Sequence, residues 1–209
     1  MLIAPRHRSR RRSRGFTIVE LMVTISLLAI VLGVGLPSLM TWIRNTKIRT
    51  VADSLQTGIR QAQADALRLN RSVVFYLTNS QPSNAAIVQA DANGRNWTIA
   101  RIPQFDDQTD SVTRFLAAGV LSEANSSVTV NSATNAICFN ANGRVSDNAA
   151  PAVNGANCTA GTKQFDVVHA NSQTGSDRPL RILVAVGGQV RMCDPNRPTL
   201  SATSPDGCP

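Results

Sequence analysis

Between Phe16 and Ile43 the chain is apolar at almost every position and carries a single charged residue, Glu20. A helix rises about 1.5 Å per residue, so this stretch is long enough to cross a hydrocarbon core of about 30 Å. Past Ile43 the pattern turns amphipathic. Ile48, Val51, Ala52, Leu55, Ile59, Ala62, Ala66 and Leu69 recur at helical spacing, with Arg49, Asp53, Gln56 and Arg60 on the opposite face. Together the two stretches read as one helix from about Phe16 to Leu69, loosened near Gly33, Gly35 and Pro37. After Asn70, short apolar runs alternate with polar turns. Strands are expected over Ser72–Leu77, Trp97–Ile102, Ser127–Val130, Ala136–Phe139, Gln164–His169, Leu180–Val186 and Gln189–Met192. Asn93-Gly94 and Asn142-Gly143 suit hairpin turns, and Gly187-Gly188 joins the last two strands tightly. Thr78–Ala86 and Ser146–Asn157 are expected to be loops. The fold class is therefore α+β, a long N-terminal helix packed on antiparallel sheet. Four regions follow: 1–15, a basic leader; 16–43, a membrane-crossing helix; 44–70, its amphipathic continuation; and 71–209, a β-rich domain.

Charge sharpens this division. Of the 21 basic residues, six arginines (Arg6, Arg8, Arg10, Arg11, Arg12 and Arg14) fall in the first fifteen positions, where there is no acid. Removing them leaves 15 basic against 13 acidic residues, a formal +2 in place of +8. The basic character thus belongs to the leader, which should hold the N-terminus in the cytoplasm and send the C-terminal domain outward. A secretory signal peptide is a poorer reading, because the apolar run is long and no A-x-A site follows it. Arg11-Arg12 is part of a general arginine cluster and is weak as a twin-arginine export signal.

Cysteine use agrees with that orientation. Cys138, Cys158, Cys193 and Cys208 are separated by 20, 35 and 15 positions, and the histidines are His7 and His169. Zinc sites usually bring close CxxC-type pairs or interleaved histidines, whereas disulfides belong to compartments outside the cytosol. Of the three pairings four cysteines allow, the sequence-local one is expected, Cys138–Cys158 and Cys193–Cys208.

Glu20 is costly inside an apolar helix unless it is paired or neutralised. Its surroundings, Arg14-Gly15-Phe16-Thr17-Ile18-Val19-Glu20, resemble the class III signal of type IV prepilins and type II secretion pseudopilins. The resemblance implies cleavage between Gly15 and Phe16 by a prepilin peptidase, with N-methylation of Phe16. Glu20 then becomes the fifth mature residue, and Pro37 stands where the family commonly has a helix-kinking proline. It also implies that the protonated amine of one subunit meets the Glu20 carboxylate of a neighbour in a filament. The implied partners are other pilins or pseudopilins and the inner-membrane assembly platform. The passage Ala64-Asp65-Ala66-Leu67-Arg68-Leu69-Asn70-Arg71-Ser72-Val73 resembles the GspH/FimT/FimU group, so a minor pilin or pseudopilin is expected. Such a subunit sits in the inner membrane with its C-terminal domain periplasmic, and enters the tip or initiation complex of a type IV pilus or type II secretion pseudopilus.

FimT-like members end in a Gly-Arg-x-Arg element beside a cysteine-bounded tail, and some bind DNA during natural transformation. Gly188, Gln189, Val190 and Arg191 align with that element, but Gln189 stands where its first arginine would be. Arg191 and Arg197 are offset by Asp194 and Asp206 in the tail, while Arg178 and Arg181 extend the basic candidates. DNA affinity rests on clustered cations, so a structural disulfide loop is the better reading. No enzyme, cofactor or metal is expected. His169 stands alone as a structural residue, and Asp106-Asp107 with Asp110 lacks calcium-ligand spacing and reads as a solvated turn.

Overall fold

The computed structural model describes residues 15–81, 87–103, 113–121, 127–173, 175–197, 199, 201 and 203–209, with backbone alone at 34, 35 and 37. Most of the basic leader, the acidic turn Asp106–Asp110, and part of the expected loop Thr78–Ala86 lie outside the described residues. Helix α1 runs over Ile18–Leu69. The chain divides into two compact units, one ending at Met40 and the other running from Thr41 to Pro209. Among the described residues no single helix is long and apolar enough to cross a membrane. Ile18–Gly33 and Ser38–Leu69 pass only as a pair, by length and composition. The glycines and proline expected to loosen the helix lie at this junction.

In the second unit, the apolar stripe of α1 forms the centre of the core. Ile48, Val51, Ala52, Leu55, Ile59, Ala62 and Ala66 are all buried, and only Leu69, at the end, is half-exposed. The helix stops by a Schellman closure. Asn70 takes a φ of 50°, its N–H reaches the Leu67 carbonyl at 3.3 Å, and Arg71 N–H reaches that of Ala66 at 3.2 Å.

Among the described residues nine strands follow, β1 Val73–Thr78, β2 Asn96–Arg101, β3 Arg114–Val120, β4 Val128–Asn131, β5 Ala136–Phe139, β6 Val145–Ser146, β7 Lys163–His169, β8 Leu180–Val184 and β9 Val190–Cys193. They form two antiparallel sheets, ordered β3-β2-β1-β5-β6 and β4-β7-β8-β9. Phe75 and Leu77 of the first sheet share the helix core with Phe165, Val167, Ile182 and Val184 of the second. Residues facing the opposite side of the first sheet, Val74, Tyr76, Ala100, Ala136 and Cys138, meet Val153, Ala156 and Cys158 in a second apolar cluster. Strand β1 is consequently buried on both faces, which suits its largely apolar sequence VVFYLT.

Seven strands lie within two residues of their expected bounds, and two departures stand out. Strand β3 occupies RFLAAGV, where alanine and glycine give a weak strand signal. Ser146, expected in a loop, ends the two-residue strand β6. Asn142-Gly143 closes the β5–β6 hairpin, with Gly143 at φ 71°. Asn93-Gly94 instead belongs to the long connection between β1 and β2.

Candidate processing and assembly site

The first unit begins with a helix cap. Thr17 precedes the helix, its Oγ1 accepts the Glu20 N–H at 3.2 Å, and its carbonyl accepts that of Leu21 at 3.1 Å. T-x-x-E is the capping-box spacing, and it puts Glu20 in the first turn, where the helix dipole favours an anion. Two other polar side chains in the apolar stretch satisfy themselves. The Thr24 hydroxyl donates to Leu21 O and that of Ser26 to Met22 O, both at 2.8 Å. The Glu20 carboxylate has no such partner among the described residues. Around it the helix is apolar on every side, with Phe16, Ile18, Val19, Leu21, Met22 and Val23 more than half exposed. A helix apolar all round is one that other matter covers, either lipid or further helices. Gly15 and Phe16 lie just outside the cap, in unstructured backbone that leaves the bond between them free of helical hydrogen bonding.

The second unit holds the C-terminal arginines, and the structure engages most of them. Arg181 grips Asp166 with two hydrogen bonds, Nε to Oδ1 at 2.6 Å and Nη2 to Oδ2 at 3.0 Å, which pushes the guanidinium pKa up. Arg197 lies between two acids, 3.3 Å from Asp206 and 3.9 Å from Asp194. Arg191 Nη2 donates to the Pro205 carbonyl at 3.3 Å. Arg178 is exposed, and its backbone N–H donates to Asn45 Oδ1 at 2.8 Å. Cys193 is joined to Cys208 and Cys138 to Cys158. Inside the tail loop, Asp194 N–H donates to the Asp206 carbonyl at 2.8 Å. His169 lies at the end of β7, where Nδ1 accepts the Asn171 N–H at 3.2 Å. Among the described residues no group of histidine, cysteine, aspartate and glutamate is disposed to hold a metal ion.

One contact at the start of the second unit was invisible to sequence patterning. Arg44 Nε donates to Asp177 Oδ1 at 2.9 Å, and Arg44 Nη2 to Gln173 Oε1 at 3.2 Å. Asp177 is buried and also accepts the Gln173 N–H at 2.8 Å. Next to it, Asn45 Nδ2 donates to Ser176 O at 3.3 Å while its Oδ1 holds Arg178. This clasp ties the β7–β8 connection to α1 immediately after the apolar run. Its partners are over a hundred positions apart, so no local spacing announces it.

Residues 10–36 match the prokaryotic N-terminal methylation motif, and residues 51–188 match type II transport protein GspH. The chain belongs to the GspH family. The methylation motif and GspH domain together make it a minor pilin or pseudopilin subunit, in a family of structural subunits rather than enzymes. No curated protein matches it significantly. Among solved structures, it is similar to the type IV minor pilin FimU of Pseudomonas aeruginosa. That likeness has 13% identity and a TM-score of 0.46, covering 78% of this chain and 96% of the other. It is also similar to the minor pseudopilin EpsH from the type 2 secretion system of Vibrio cholerae. There the identity is 10% and the TM-score 0.45, over 72% of this chain and 99% of the other.

Proposed function

We propose that this GspH-family subunit is cut between Gly15 and Phe16 by a prepilin peptidase, methylated on Phe16, and held in the inner membrane by its apolar helix until it enters a filament. Its place there is the tip or initiation complex of a type IV pilus or type II secretion pseudopilus. The observation that carries the reading is the Glu20 carboxylate, which has no partner among the described residues while nearby hydroxyls are satisfied. Cleavage generates an α-amine, and a neighbouring subunit's amine supplies the cation that this carboxylate needs. Pro37 and the apolar residues beyond it serve the packing of helices side by side. The other partners are further pilins or pseudopilins and the inner-membrane assembly platform. Intact mass and N-terminal sequencing of membrane-extracted protein test the first step. The expected product starts at a methylated Phe16; a chain starting at Met1, or beyond the apolar run, refutes the reading.

A further inference from the structure

Lys163 opens strand β7 on the side that carries Phe165 and Val167, opposite Val184 of β8. It is only 7% exposed. Lysines are seldom buried this far without an anionic partner. Here the ammonium donates to Thr159 Oγ1 at 2.5 Å, and it forms no ion pair among the described residues. The acid on the adjoining turn, Asp147, accepts the Ala160 N–H instead. Three N–H donors therefore meet one hydroxyl.

Lys163 and Thr159 both line a hollow of about 520 Å³. Thr134, Asn135, Asn157 and Gln164 also line it, and none of the lining residues is aromatic or acidic. Asn135 is committed, since its Nδ2 donates to the Gly155 carbonyl at 2.5 Å. The side chains of Asn157 and Thr162, also on the wall, have no hydrogen-bond partner among the described residues. The wall is anchored, because Cys158 is bonded to Cys138 and bridges to Asn148 through paired backbone hydrogen bonds of 2.9 and 3.0 Å.

We infer that this hollow is a binding site for a carboxylate, with Lys163 as its counter-charge and Asn157 and Thr162 as neutral donors. A single cation with neutral donors balances a singly charged anion, whereas a phosphate dianion would call for more positive charge. The absence of an aromatic wall removes the usual platform for a ring or an apolar ligand. The carboxylate has two sources, a free small acid or an acidic side chain on another polypeptide. This inference is independent of where the chain is cut or which filament it enters.

Lys47 and Lys163 are the only lysines in the sequence. The full chain, labelled with ¹³Cε-lysine in detergent micelles, therefore gives two lysine signals, assigned through Lys47→Arg. Titration with propionate, with acetyl-Gly-Asp-Gly-amide and with propionamide tests the site. At least one of the two acids should move the Lys163 signal saturably while that of Lys47 and the propionamide titration stay flat. Saturation by propionate alone identifies a free acid. Saturation by the peptide at tenfold lower concentration identifies a side chain on a partner. An Asn157→Ala/Thr162→Val variant, with both disulfides intact by mass, should need at least tenfold more ligand. A Lys163 signal that ignores both acids, or drifts linearly together with Lys47, overturns the inference. So does a double variant that titrates like the unaltered chain.

Discussion

At the scale of single residues, three polar side chains in one apolar stretch separate by how they are satisfied. Thr24 and Ser26 return their hydroxyl protons to carbonyls one turn back and make no demand on their surroundings. Glu20 cannot do this, because a carboxylate has no proton to give and the helix's own N–H groups beyond the first turn are engaged. Glu20→Ala removes the need for a cation without disturbing the Thr17 cap, which uses the Glu20 backbone. The expected outcome is normal cleavage and membrane insertion, with this subunit strongly depleted from sheared filaments by immunoblot. Glu20→Gln, which keeps shape and loses charge, should behave like Glu20→Ala. Unchanged incorporation of both variants would remove the charge pairing from the account. The sequence made Glu20 legible because one charge interrupts a long apolar run. It gave no hint of Asp177, an ordinary aspartate in a polar loop that is buried against a partner 133 positions away.

Elements show the same contrast between local and distant causes. The stripe of α1 was legible because helical periodicity is a property of neighbours, and its core positions from Ile48 to Ala66 are buried as expected. Strand β3 was not, since its register on β2 brings RFLAAGV into the sheet despite weak propensity. The small residues have a packing reason. Trp97 of β2 lies between Gly58 of α1 and Gly119 of β3, and a Cβ on Gly119 would come within 2.4 Å of the indole. Gly119→Ala should overpack this site and cost roughly 1–3 kcal/mol, read as a lower urea midpoint. The clasp on α1 makes a second prediction at this scale. Asp177→Ala strands Arg44, which is only 22% exposed, together with the Gln173 N–H. A loss of roughly 3 kcal/mol is expected, near the low end for breaking a buried pair. Hydrogen exchange should quicken first at residues 173–178; uniform loss across the unit would contradict a local clasp.

For the whole molecule, the distribution of charge decides between assembly and nucleic-acid binding. The strongly basic isoelectric point belongs to the leader, and the remainder carries a formal +2. That sum was readable from sequence, but which arginines are free was not, because ion pairs join residues from different strands. Arg181 is held by Asp166 across β7 and β8, and Arg197 by Asp194 and Asp206 inside a loop closed by Cys193 and Cys208. Either of these two cations, to reach a phosphate, would first have to leave an acid that remains nearby. Nonspecific DNA affinity comes from counterions released as free cations neutralise phosphates, and it falls steeply with salt. Duplex DNA should therefore show no measurable shift with the region from Trp42 onward at physiological salt. The double variant Arg191→Ala/Arg197→Ala should be indistinguishable from the parent at low salt as well. Two gel-shift titrations at two salt concentrations suffice. Submicromolar binding by the parent, lost in the double variant, would mean that local geometry at the tail outweighs its zero net charge.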